Sequence, residues 1–113
     1  MNNFKLLKSV LVAVPLCFVA SAAVAGGDAA NGEVLAETCS GCHAIDGNST
    51  NEANPKLAGQ YESYLIRALS EYKSGARENA IMAGFAAGLS EQDIRDLAAW
   101  FSSQDSSLYV LDK

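Results

Sequence analysis

Cys39-Ser40-Gly41-Cys42-His43 is the stretch on which the reading of this chain turns. It has the form C-x-x-C-H, the attachment signal for a c-type haem. Two thiols three residues apart can add to the two vinyl groups on one porphyrin edge. The histidine beside the second thiol then reaches the iron from one face. Ser40 and Gly41 are small, as a chain wrapped tightly on a macrocycle edge requires. Three blander readings compete. A structural disulfide does not require His43. A redox dithiol belongs in a βαβ setting, and no convincing strand is legible here. A zinc site needs four ligands, and in residues 26–113 the Cys and His ligands are Cys39, Cys42 and His43, so a fourth must be a carboxylate or absent.

Reading outward from the motif, an iron held by His43 has a sixth position to fill. The chain has one histidine and two methionines, one of which is Met1. Met82 is therefore the candidate for the opposite ligand. An isolated methionine is ordinarily core filler, but beside a haem a lone thioether is the natural partner. Thioether ligation favours Fe(II) and raises the potential. With both axial positions filled by protein, electron transfer through the haem edge is the expected job, and no substrate coordinates.

The chain is 113 residues long with 8 Lys+Arg against 13 Asp+Glu, a formal charge of −5. That length allows one domain. The acidic balance excludes nucleic acid as a partner, because its binders need a basic face. Half of the chain is hydrophobic, which argues against disorder. Met1 to Ser9 carries Lys5 and Lys8 and no acid, Val10 to Ala20 is apolar, and Ala23-Val24-Ala25 follows. This is the pattern of an export signal cleaved after about Ala25. The apolar run, broken by Pro15 and Ser21, is short of the ~20 residues that span a bilayer. Residues 26–113 are expected to form a single periplasmic domain, more acidic than the precursor, with no stable membrane insertion.

That part reads as helices and loops. Asp28 is placed to N-cap a helix over about Ala29–Thr38, with Val34 and Leu35 turned inward and Glu33 and Glu37 exposed. Gly32 within it points to another helix crossing closely. The run Asp46–Pro55 is rich in turn formers. Tyr61, Tyr64, Leu65, Ala68, Leu69 and Tyr72 make one apolar stripe on a helix over Gln60–Ser74, stopped by Gly75. Arg77–Leu89 reads as loop. Ser90 and Asp93 start a last helix whose inner face is Ile94, Leu97, Ala98 and Phe101, fraying near Ser103. The apolar tail Leu108–Leu111 has no evident role. Three helices make a thin core, so a staple is expected, filling the space enclosed by the two long loops.

With CSGCH (39–43), PKLAGQ (55–60), the Arg77 to Met82 stretch and LSEQDIRDLAAWF (89–101) in this order, the chain resembles a class I cytochrome c of the small bacterial monohaem branch. It is similar to one half of the dihaem periplasmic cytochromes. The resemblance implies an all-α fold of three main helices wrapped around one covalent haem c. It implies that Pro55 offers its carbonyl to His43, that Leu57 packs on the haem, and that Gly32 and Leu35 cross Trp100. Arg77 lies near a haem propionate or is a solvated surface arginine; Tyr61 and Tyr64 line the pocket or belong to the helix core. The segment between His43 and Met82 is shorter than in mitochondrial relatives, and the charge is acidic rather than basic. An apolar cluster of Ala44, Ile45, Ala83, Phe85 and Ala86 is thus either the expected docking surface or ordinary haem-pocket packing. The function implied is one-electron transfer between membrane respiratory complexes, or with a periplasmic dehydrogenase or oxidase, by a monomer or weak dimer. The alternatives are a small haem subunit of a larger oxidoreductase, or a haem enzyme or gas sensor with an open sixth position.

Overall fold

A computed structural model of the chain describes residues 26–107. The proposed export signal and the Leu108–Leu111 tail lie outside the described residues. Within them the chain folds as α1 (Ala29–Ala36), α2 (Ser40–His43), α3 (Glu62–Ser74), α4 (Ala80–Ala86) and α5 (Glu91–Ser102). No strand occurs among the described residues, and none of their helices is long and apolar enough to cross a membrane.

Asp28 caps α1, its carboxylate accepting from the N–H groups of Ala30 and Asn31. Helix α1 lies across α5 at a contact set by small residues. A Cβ at Gly32 would sit 2.0 Å from the Asp96 carbonyl oxygen and 2.8 Å from Trp100 Cβ, so only glycine allows this approach. Val34 is 64% exposed, against the expectation that it faces inward. At 3.6 residues per turn it points about 200° away from Gly32. The face α1 turns to α5 is that of Gly32 and Ala36, both buried, with Leu35 beside them. Helix α1 also ends at Ala36, two residues before the expected Thr38.

The α1–α5 contact is stitched by a buried carboxylate. Asp96 accepts from the Asp28 N–H, the Asn31 side-chain amide and the Gln92 side-chain amide, each at 2.7 Å. Foremost the Asp28 N–H, and with it the two amides, holds this carboxyl below its ordinary range, as hydrogen bonds to the charged form must.

Helix α3 starts at Glu62 rather than Gln60. The Gln60 side-chain oxygen accepts from the Tyr61 N–H at 2.8 Å, and Tyr61 stays extended. Gly75 ends the helix in the left-handed region, φ 82°, where an L side chain is strained. Leu65 carries the stripe into the core formed with Ala36, Leu97, Ala98 and Phe101, and Ala68 is buried one turn on. Helix α5 opens with the expected capping box: Ser90 Oγ accepts from the Asp93 N–H, and Asp93 accepts from the Ser90 N–H. It ends at Ser102.

The stretch expected to be loop contains α4. Asn79 is its N-cap, accepting from the Met82 N–H at 3.0 Å. Gly84 and the run of alanines leave no apolar stripe to read, which is why this helix is not legible from periodicity. The segment carrying it is tied to α3 at both ends: the Arg77 N–H donates to the Glu71 carbonyl, and the Lys73 ammonium donates to the Leu89 carbonyl.

Candidate haem site

Between α3, α4, α5 and the two long loops lies a cavity of about 330 Å³, within the ~300–1,000 Å³ of small-molecule sites. Its lining includes Cys39, Cys42, His43, Pro55, Leu57, Arg77 and Met82. These seven residues thus border one space. The rest of the wall is mostly apolar: Leu65, Leu69, Leu97 and Phe101, with Phe85 and Ile81 from α4.

The motif is folded as α2, a single helical turn N-capped by Cys39. Helical spacing puts Cys39 and Cys42 one turn apart, on the same face. Both are free thiols, Cys39 partly buried and Cys42 exposed. Burial, and then Cys42 beside it, pushes the Cys39 thiol above its ordinary range. His43 is buried, and its Nδ1 lies 2.8 Å from the Pro55 carbonyl. A carbonyl can only accept, so Nδ1 is the donor and Nε2 is the ring nitrogen left to bind a metal. This is the kind of backbone partner that orients a ligating imidazole.

The loop after the motif is fixed from three sides. The Trp100 indole N–H donates to the Ile45 carbonyl at 2.8 Å. Asp46 accepts from the Asn48 N–H and side chain at 2.9 and 3.0 Å, which holds its carboxyl below the ordinary range. The Asn48 side chain in turn donates to the Asp105 carbonyl. Gly47, at φ 76°, lets the chain turn against Phe101; a Cβ there would meet the Ala58 nitrogen at 2.6 Å.

Arg77 is not a solvated surface arginine. Its guanidinium donates to Glu71 at 3.2 Å and to the Tyr64 hydroxyl at 3.3 Å. It stacks over the Tyr64 and Tyr72 rings, 5.7 and 5.3 Å from their centroids. Donation to Tyr64, and then to Tyr72, raises its pKa above the ordinary value, and the guanidinium, always charged, stands as a cation at the cavity wall. Tyr64 and Tyr72 line the cavity; Tyr61 does not. The expected docking patch is not one surface. Ala86 is fully buried, whereas Ile45 is 41% and Phe85 48% exposed, and Phe85 faces the cavity. Asn79 and Tyr72 also border the cavity, a place the sequence pattern alone does not give them; Phe85 borders it as the packing alternative for its cluster implies. The signal available for Asn79 was an N-cap residue type three places before Met82.

The residues fit a covalently held haem: two free thiols one turn apart, an oriented imidazole, an apolar wall and a thioether on one cavity. Among the described residues no cluster of three or more His, Cys, Asp or Glu side chains is placed to hold a bare metal ion.

An all-helical chain with a C-x-x-C-H turn on an apolar cavity defines a c-type cytochrome domain. The cytochrome c family model matches residues 29–105, and the chain belongs to that family. That family is one of haem-binding electron-transport domains. It is 44% identical over 108 residues to cytochrome c4 of Pseudomonas aeruginosa, covering 96% of this chain and 52% of that one. It is 37% identical over 103 residues to a thiosulfate dehydrogenase electron acceptor of Thiomonas intermedia, covering 90% of this chain and 46% of that one. Among solved structures, reduced recombinant cytochrome c4 from Pseudomonas stutzeri is 42% identical with a TM-score of 0.69. That match covers 73% of this chain and 48% of that one. The chain spans about half the length of these relatives.

Proposed function

We propose that this chain is a periplasmic one-electron carrier holding a single haem c, with His43 and Met82 as the two axial ligands. The observation that carries the reading is the bordering of one apolar cavity by Cys39, Cys42, His43 and Met82, with His43 already oriented by Pro55. When bound, the haem supplies a one-electron Fe(III)/Fe(II) couple. Cys39 and Cys42 hold it by thioether bonds. The Met82 thioether favours the reduced state. Leu57, Leu65, Leu97 and Phe101 exclude water, which penalises the extra positive charge of the oxidised state. Arg77, fixed by Glu71 and two tyrosines, is positioned to neutralise a haem carboxylate. Holding both ligands in one geometry keeps reorganisation small at each transfer.

Residues 1–25 serve as the export signal and 26–113 as the mature domain. The partners are redox proteins, either membrane respiratory complexes or a periplasmic dehydrogenase or oxidase. A relative whose name is that of a dehydrogenase's electron acceptor supports this class. An optical spectrum tests the reading. The ferric protein should show the weak thioether band at about 695 nm. Absence of that band, with CO binding to the reduced protein at neutral pH, would overturn the carrier in favour of an open-site haem protein.

A further inference from the structure

We infer that Asn79 is a positioning residue for the axial sulfur, setting how readily Met82 leaves the iron. The inference rests on the assignment of Met82 as ligand. Met82 is the third residue of α4, where a helical N–H has no partner within the helix. Its N–H is instead held by the Asn79 side-chain oxygen at 3.0 Å. The Asn79 carbonyl accepts from the Ala83 N–H at 2.8 Å, so Asn79 fixes the backbone on both sides of the Met82 side chain. Asn79 itself borders the cavity. Its backbone is extended, φ −162°, so it ends the Arg77 approach and aims the helix that carries the sulfur.

The rest of α4 offers little else to fix Met82. Ile81 is 69% and Phe85 48% exposed, and Ala86 is the element's one buried residue. The segment is anchored at its ends by Glu71 with Arg77 and by Lys73 with Leu89. Between those anchors the Asn79–Met82 bond is a side-chain hydrogen bond made directly to the ligand's own backbone N–H. Release of Met82 is then a local opening of α4, and an external ligand for the iron binds in proportion to the open population.

The test is an imidazole titration of the ferric, haem-loaded protein. Asn79→Ala should bind imidazole about fivefold more tightly than the parent, the factor carried by an N-cap of ordinary strength. Asn79→Ser, which can still cap, should stay within about twofold of the parent. Asp28→Ala, which removes the equivalent cap of α1, should lower global stability and leave imidazole affinity unchanged. Equal affinities for Asn79→Ala and parent, or an equal gain in Asp28→Ala, would overturn the inference. Amide exchange in the parent keeps it falsifiable if Asn79→Ala fails to mature: the Met82 N–H should be protected, and exchange at the rate of an open amide would sink it. The parent's thioether band separates the two levels. Its absence removes the ligand assignment and this inference together; its presence with unchanged imidazole binding removes this inference alone.

Discussion

The α1–α5 crossing and the α3–α4 wall are built on opposite plans. At the crossing the protein completes itself. Ala36 and Ala98 are fully buried, Leu97 is 2% exposed, and the Asp96 carboxylate is satisfied by three donors. At the α3–α4 wall, side chains as large as Tyr64, Ile81 and Phe85 stand 38, 69 and 48% exposed around a cavity. A domain this small does not leave such surface open without a reason. The first region is a finished interface. The second is half of one, and its other half is an apolar group that the chain does not encode.

The two regions share a wall. Leu97, Ala98 and Phe101 belong to the buried core and also line the cavity. Emptying the cavity therefore opens the back of the same core that α1 closes from the front. The Cys39→Ala/Cys42→Ala chain, unable to hold haem covalently, should be largely unfolded, because binding free energy here is folding free energy. Far-ultraviolet circular dichroism reads this directly. A helical signal equal to the parent's would show that the crossing stands alone, and would break the comparison.

At the crossing itself the largest single effect belongs to Gly32. A methyl group placed 2.0 Å from a backbone oxygen cannot be relieved by a rotamer change, so α1 must move off α5. Gly32→Ala should cost at least about 3 kcal/mol, the upper end of overpacking penalties, measured by urea unfolding of the haem-loaded protein. The visible spectrum should be unchanged, since no axial ligand lies on α1. A shifted spectrum would mean that the crossing and the site are coupled more tightly than the shared wall implies.

Asp96 comes next. Removing a buried acceptor of three hydrogen bonds should cost about 2–3 kcal/mol, so Asp96→Ala lowers the urea midpoint at pH 7. The sign with pH follows from the depressed carboxyl. Its stabilising contribution is complete above the unfolded value of ~3.9 and is lost as pH falls through the lower folded value. Between pH 7 and pH 3 the parent should therefore lose more stability than Asp96→Ala. Parallel profiles would show that Asp96 holds the crossing by shape rather than by charge.

The chemistry of this molecule was more legible in its sequence than its packing was. Cys39, Cys42 and His43 are read from adjacent letters, and the Gly32 crossing follows from one glycine inside a helix. Ser90 with Asp93, and Gly75, mark helix ends by local hydrogen bonding and backbone sterics that tertiary context does not alter. Helix α4 is not legible because its sequence has no periodic stripe; it is held by the Asn79 cap and by ties to the end of α3, which a hydrophobic pattern does not register. A bulky apolar residue is expected to seek the core, which points Val34 inward. The face that packs is instead the one of Gly32 and Ala36, whose small size permits the close approach.

The smallest predicted effect lies where the two regions meet, at the residue after His43. Ala44 has φ 63° and ψ 156°, a conformation that is essentially reserved for glycine. Its neighbours impose it: the Ala44 N–H closes α2 on Ser40, its carbonyl accepts from Gly47, and Trp100 holds Ile45 next door. Such strain costs about 1–3 kcal/mol. Ala44→Gly relieves it but loosens the unfolded chain by about 0.4–1 kcal/mol. The balance favours the folded state, so Ala44→Gly should raise stability by about 1 kcal/mol in urea unfolding. A neutral result would place the strain at the low end of its range. A loss would mean that the Ala44 methyl contributes packing between motif and crossing that exceeds its backbone cost, and that the finished region extends one residue closer to the site than its hydrogen bonds indicate.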